Sequence, residues 1–145
     1  MRVLYWHLTP QEVLARSYPI EKLLYWEVRG YFSQESYFSI YWFKHGVPYD
    51  KEPIVGIVVY IIGFNEHAER SIVEFLHHRF GGEVMRRGYR TFIAFANVRI
   101  DNESVARLAL DVAERFKVVC EIWLEFDNLS EDEVKALYTK AVPIT

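Results

Sequence analysis

The chain has 145 residues, 51% hydrophobic and 26% charged, a balance that fits one globular domain with a real core and excludes a disordered chain. A net charge of −3 excludes any general attraction to polyanions, so a polyanion site has to be local. The single cysteine, Cys120, excludes an internal disulfide and a multi-cysteine zinc site.

RVLYWHL, 2–8, reads as a first strand or extended arm. Thr9, Pro10 and Glu12 then make a helix start: a capping hydroxyl, a proline suited to the first helical position, and an acid that reaches back to the cap amide. Pro19 kinks or restarts this helix. Ile20, Leu23, Leu24 and Val28 continue an apolar face at helical spacing, and Gly30 ends it. ESYFSIYWF, 35–43, is rich in strand formers, with Tyr37, Tyr41 and Phe43 on one face and Phe38, Ile40 and Trp42 on the other. HGVPYDKEP, 45–53, reads as a loop.

IVGIVVYIIGF, 54–64, is apolar at almost every position and suits a central strand covered on both faces. The next helix, 65–80, is capped by Asn65 and buries Ala68, Ile72, Leu76 and Phe80. After Gly81 and Gly82, GEVMRRG and YRTFIAFANVRI predict a hairpin. A helix over 101–116 turns Val105, Ala109, Val112 and Phe116 inward, and KVVCEIWLEF, 117–126, is a strand that buries Cys120 as a small apolar side chain. Ser130 and Glu133 form a second capping box. It starts a last helix, 130–142, with Val134, Leu137, Tyr138 and Ala141 on one face.

From residue 54 onward the order is strand, helix, strand, strand, helix, strand. The predicted fold class is therefore α+β, with a ferredoxin-like βαββαβ core over about 54–126. Residues 1–53 add an N-terminal helix and strand that either extend the sheet or cover it, and 1–145 form one domain. No apolar run is long enough to span a bilayer, and no signal-like start is present. The expected location is cytoplasmic. Eleven arginines against six lysines, with two glutamines, point to a heat-adapted source.

Charge is unevenly spread. Arg79, Arg86, Arg87, Arg90 and Arg99 face only Glu83 between residues 79 and 99, while 121–133 hold six acids and no Lys or Arg. MRRGYRTFIAF, 85–95, concentrates three of these arginines at a turn that runs into an aromatic strand. VYIIGF, 59–64, and RGYRTFIAF, 87–95, resemble the short and long signatures of the RNA-recognition-motif family. Arg87, Gly88 and Tyr89 match the start of the long signature, and Phe92, Ile93 and Phe95 its end, with one extra residue between. The resemblance spans about residues 58–126. It implies that Tyr60 and Phe92 stack on bases and that Arg87 and Arg90 hold phosphates. Arg86, Tyr89 and Arg79 complete the candidate surface.

A second resemblance is to the layout of the LAGLIDADG homing endonucleases, in which LLYWEVRGYF, 23–32, occupies the motif helix. Arg29 stands where that family places its metal-binding acid, which implies a non-cutting relative.

His67, Glu74 and His78 share one helical face, but His67 and His78 lie about 16 Å apart along a helix. One ion cannot be held by both. Glu74 and His78 offer two ligands and need a further segment for more. No nucleophile elbow or phosphate-binding glycine loop is present, and Cys120 has no basic neighbour in sequence. Neither a cofactor, a metal nor a catalytic residue is expected. The expectation is a non-catalytic nucleic-acid-binding protein, for RNA or single-stranded DNA, that forms homo-oligomers. The alternative is an assembly or small-ligand-binding module built on the aromatic layer of 35–43.

Overall fold

Alternating, strand-forming segments dominate the chain, and most of them join in one large sheet. The computed structural model describes residues 1–44, 47–49, 52–54, 56–62, 66–87, 90–94, 101–138 and 141–144. In chain order the elements are β1 (Arg2–Leu8), α1 (Pro10–Leu14), a one-turn 3-10 helix (Ile20–Lys22), β2 (Leu23–Tyr31), β3 (Tyr37–Phe43), β4 (Val47–Tyr49), β5 (Glu52–Ile54), β6 (Gly56–Ile62), α2 (Glu66–Phe80), β7 (Glu83–Arg87), β8 (Arg90–Ala94), α3 (Asn102–Phe116), β9 (Val119–Phe126), α4 (Glu131–Ala136) and β10 (Ala141–Ile144).

Eight strands form a sheet in the order β10-β1-β9-β2-β3-β6-β8-β7, and β4 and β5 pair separately. Every neighbouring pair in the large sheet is antiparallel. The architecture is thus mixed α+β, and the chain order from β6 to β9 is the expected strand, helix, strand, strand, helix, strand. The spatial order departs from expectation. A ferredoxin-like sheet would set β9 beside β6, whereas here β3 and β2 stand between them. Inserting two antiparallel strands leaves the direction of β9 unchanged, so α3 still connects parallel strands but passes over three others. Residues 1–53 therefore supply the middle of the sheet through β2 and β3, and the strand outside β9 through β1.

Three predicted segments differ in the structure. Residues 23–31 form a strand instead of a helix. The four-residue step from Leu24 to Val28 fits one face of a helix and one face of a strand equally well, and Tyr25, Trp26, Val28 and Tyr31 favour the strand. The helix required by the LAGLIDADG-like layout is accordingly β2. Part of the predicted loop 45–53 is the hairpin β4–β5, with Pro48 opposite Pro53. The last helix stops at Ala136, because Leu137 leaves helical geometry (φ −86°, ψ −114°), and Ala141 belongs to β10. The Asn65 cap and residues 95–100 lie outside the described residues.

Among the described residues, α1, α2, α3 and α4 pack on one face of the sheet. Ile72 and Leu76 of α2, and Val105, Ala106, Leu108, Ala109 and Val112 of α3, are buried against Trp26, Val28, Phe38, Ile40, Ile57, Val59, Ile93, Ile122 and Leu124. Each buried Val, Leu, Ile or Phe among them contributes about 1.5–3 kcal/mol by leaving water. Leu137 and Tyr138 close the core beside Tyr5, whose hydroxyl donates to the Val134 carbonyl at 3.4 Å. Two predicted caps form: Thr9 with Glu12 and Ser130 with Glu133 are reciprocal capping boxes. A further cap starts α3, where Asp101 accepts from the Ser104 amide. Gly81 ends α2 at φ +71°, a conformation that disfavours other residues. Gly30 meets a different demand. A Cβ there would lie 2.5 Å from Cζ of Phe38, the fully buried ring opposite it in register. Among the described residues, no helix is long and apolar enough to cross a membrane.

Candidate functional site

Side chains of alternate parity on the same strands point away from the helices. In β2 these are Tyr25, Glu27, Arg29 and Tyr31, between the core residues Trp26, Val28 and Gly30. Register links them across the sheet into rows. One row reads Glu121, Arg29, Ser39, Tyr60, Arg90, Arg87, and the next reads Trp123, Glu27, Tyr41, Val58, Phe92, Met85. Each row crosses six strands, roughly 24 Å at the usual strand spacing.

Arg29 occupies the centre of the polar half of this face. Its guanidinium carbon lies 4.3 Å from the Trp123 ring centroid and 5.1 Å from that of Tyr37. Its Nε donates to Glu27 Oε2 at 2.7 Å. The arginine therefore lies over two aromatic rings and is tied to a carboxylate, an arrangement that joins cation–π attraction to a charge-assisted hydrogen bond. Burial opposes its charge, but the Tyr31 hydroxyl and the Glu27 carboxylate more than offset this and hold its pKa above the usual value.

Glu27 is only 5% exposed. A buried carboxylate needs partners, and it accepts from Arg29, from Ser39 Oγ at 3.0 Å and from the Tyr25 hydroxyl. Burial first, and the Glu27 charge second, push the Tyr25 hydroxyl above its usual pKa. Tyr25 thus stays a neutral donor.

Glu121 anchors the second half of the network. It accepts from the Tyr31 hydroxyl at 2.8 Å and the Trp123 indole at 3.2 Å, and His7 Nδ1 lies 2.6 Å from its other oxygen. Burial alone would raise this carboxyl. The hydrogen bonds from His7, Tyr31 and Trp123 outweigh it and hold the pKa below the usual value. His7 reaches Glu121 because β1 carries a bulge. Register passes from Tyr5–Leu124 to Leu8–Ile122, and His7 takes a left-handed backbone (φ +55°). Bulges of this kind re-aim side chains at the cost of some backbone strain. Trp6, 38% exposed, then packs edge-on to Trp123 at 5.8 Å, beside the His7 ring. Arg2 pairs with Glu125 at 3.1 Å further along the same strands.

The sequence-predicted residues divide between the two faces. Arg87, Arg90 and Tyr60 fall in the row of Arg29, and Phe92 falls in the row of Glu27 and Trp123. Tyr89 lies outside the described residues. Arg86 belongs to the rows of the helix side, and its guanidinium pairs with Glu69 of α2 at 2.6 Å. Arg79 lies still further away, on α2, where it pairs with Asp111 of α3 at 2.5 Å. Neither of these two arginines joins the open face, because strand parity and helix position direct them to the covered side.

Glu74 and His78 line an open groove of about 500 Å³ between α2 and α3, together with Ser71, Phe75, Arg79 and Arg115. Among the described residues, no three His, Cys, Asp or Glu side chains gather as a metal site. Burial, followed by the charge of Glu121, pushes the Cys120 thiol up to about 12, so the thiolate nucleophile is suppressed at neutral pH.

Sequence reasoning missed Glu27, Arg29, Glu121, His7, Trp6 and Trp123 as site residues. The signal for four of them was present. YWEVRGY and CEIWLEF alternate polar or aromatic with apolar residues at a period of two. His7 and Trp6 depend on the bulge, which no local pattern announces. No family model, no curated protein and no solved structure matches the chain.

Proposed function

We propose that the open sheet face binds single-stranded nucleic acid, RNA or single-stranded DNA, as a non-catalytic binding protein. The observation that carries this reading is the pair of cross-strand rows that lead from Trp123 and Arg29 to Phe92, Arg90 and Arg87. Aromatic rings and a stacked guanidinium suit unpaired bases, which stack without regard to sequence. The β7–β8 end of the rows adds arginines suited to the phosphate backbone. Arg2, Arg29 and His7 are each matched by a carboxylate, so the β1–β9–β2 end favours stacking over charge. On the same reading, 54–126 is a ferredoxin-like core whose sheet is opened by the inserted β2–β3 hairpin.

The test uses the protein's own tryptophans. Trp6 and Trp123 are on the open face, whereas Trp26 is buried in the core. A single-stranded oligonucleotide is expected to quench the fluorescence of the wild type. Trp123→Ala should lose most of the quench and bind about tenfold more weakly, consistent with one lost stack. An unchanged spectrum at saturating oligonucleotide would reject the reading.

A further inference from the structure

We propose that β7 pairs with β7 of a second copy of this chain, joining two sheets edge to edge about a two-fold axis. The two ends of the sheet are not alike. At one end, β10 carries Pro143 in its four-residue span, and proline denies a partner strand a donor. At the other end, β7 pairs with β8 and with no other strand among the described residues. Its segment, Glu83–Arg87, contains no proline, and Glu83, Val84 and Arg86 are exposed.

Register selects one pairing. The ladder closes on Arg87 and Arg90, with two residues between them in the chain, so Arg87, Met85 and Glu83 form the hydrogen-bonded set with β8. The outward amides and carbonyls then belong to Val84 and Arg86. An antiparallel partner that uses those groups sets Val84 opposite Arg86 of the second copy and centres Met85 on Met85. The same register places Glu83 opposite Arg87 of the second copy, twice by symmetry. Shifting the pairing by two residues would oppose Arg86 to Arg86, or leave Glu83 facing Met85. Opposite charges across strands stabilise and like charges destabilise, so EVMRR is self-complementary in only one of these arrangements. Arg86 does not block it, since its charge is already matched by Glu69 within its own chain.

The paired edge is five residues long, so the association is weak and concentration-dependent. It would make the corresponding sheet faces of two copies continuous, with the Met85 and Phe92 rows of both meeting at the axis. The proposal does not depend on what that face binds.

Sedimentation velocity over a concentration series, without nucleic acid, tests it. The mass should rise from 17.2 kDa toward twice that value. Val84→Pro removes an outward amide and spares the β8 ladder, and is expected to weaken the dimer at least about tenfold without lowering the thermal midpoint. Glu83→Arg and Arg87→Glu should each weaken it, and the double variant should restore it. A wild type that stays monomeric throughout the series overturns the proposal. So does a dimer that ignores Val84→Pro and both charge variants, which places the interface elsewhere, or a double variant that fails to restore what the single changes lost.

Discussion

Arg29 shows how one side chain can organise a surface. It lies over Trp123 and Tyr37, it supplies the cation for Glu27, and Tyr31 beside it links onward to Glu121. Removing it strands a carboxylate that is 5% exposed with only two neutral donors. Breaking a buried pair in this way costs about 3–5 kcal/mol, so Arg29→Ala should lower the urea midpoint sharply. Glu27→Gln keeps the shape and removes the charge, and should cost less. The comparison by denaturant titration separates burial of a charge from loss of packing. Glu121 makes the complementary prediction in pH. Its folded pKa is depressed from the usual 4.5, so its contribution is complete above that value and fades as pH falls through the folded pKa. Wild type should therefore exceed Glu121→Gln in thermal midpoint near pH 7, and the gap should shrink as pH falls below the usual carboxylate range. A gap that is constant from pH 7 to pH 3 would show that the carboxylate charge contributes nothing.

Among the elements, those with redundant signals were legible. The Thr9–Glu12 and Ser130–Glu133 boxes, the helix over 101–116 and the strands at 37–43, 56–62 and 119–126 each combine a boundary residue with a clear period. β2 was misread because apolar residues four apart satisfy both periods, and the propensity of Tyr, Trp and Val had to decide between them. β10 was invisible, since four residues around a proline carry little pattern and their pairing with β1 is made at long range. α1 is only five residues long, too short to persist alone, so its cap and its packing must hold it. Thr9→Ala should cost about 1 kcal/mol, a few degrees in the thermal midpoint by calorimetry. A larger loss would mean that α1 anchors more of the β1–β2 crossover than its own turn.

At the scale of the whole molecule, the class was legible and the strand order was not. Strand and helix order from 54 to 126 was read correctly, but nothing local to β2 and β3 shows that they enter the sheet between β6 and β9. The rows of the candidate face were legible only in part for the same reason. Tyr60, Arg87, Arg90 and Phe92 stood out by their motif, whereas Arg29, Glu27 and Glu121 become neighbours only once the hairpin is inserted. Arg79 and Arg86, grouped by sequence with the others, fall on the helix side. The face that results sets Arg29 against Trp123 and Tyr37, is charge-matched toward β1, and leads by register to Phe92, Arg90 and Arg87. Its expected ligand is a flexible single strand, not a duplex.

The most direct test is a fluorescence-anisotropy titration with single-stranded RNA, single-stranded DNA and duplex DNA, at low and moderate salt. Both single strands should bind more tightly than the duplex, and binding should weaken with salt. The slope should be shallow, since few arginines on this face are available to phosphates, and Arg87→Ala and Arg90→Ala should each reduce it further. Absence of binding at low salt, where electrostatic attraction is strongest, or a preference for the duplex, would contradict the account.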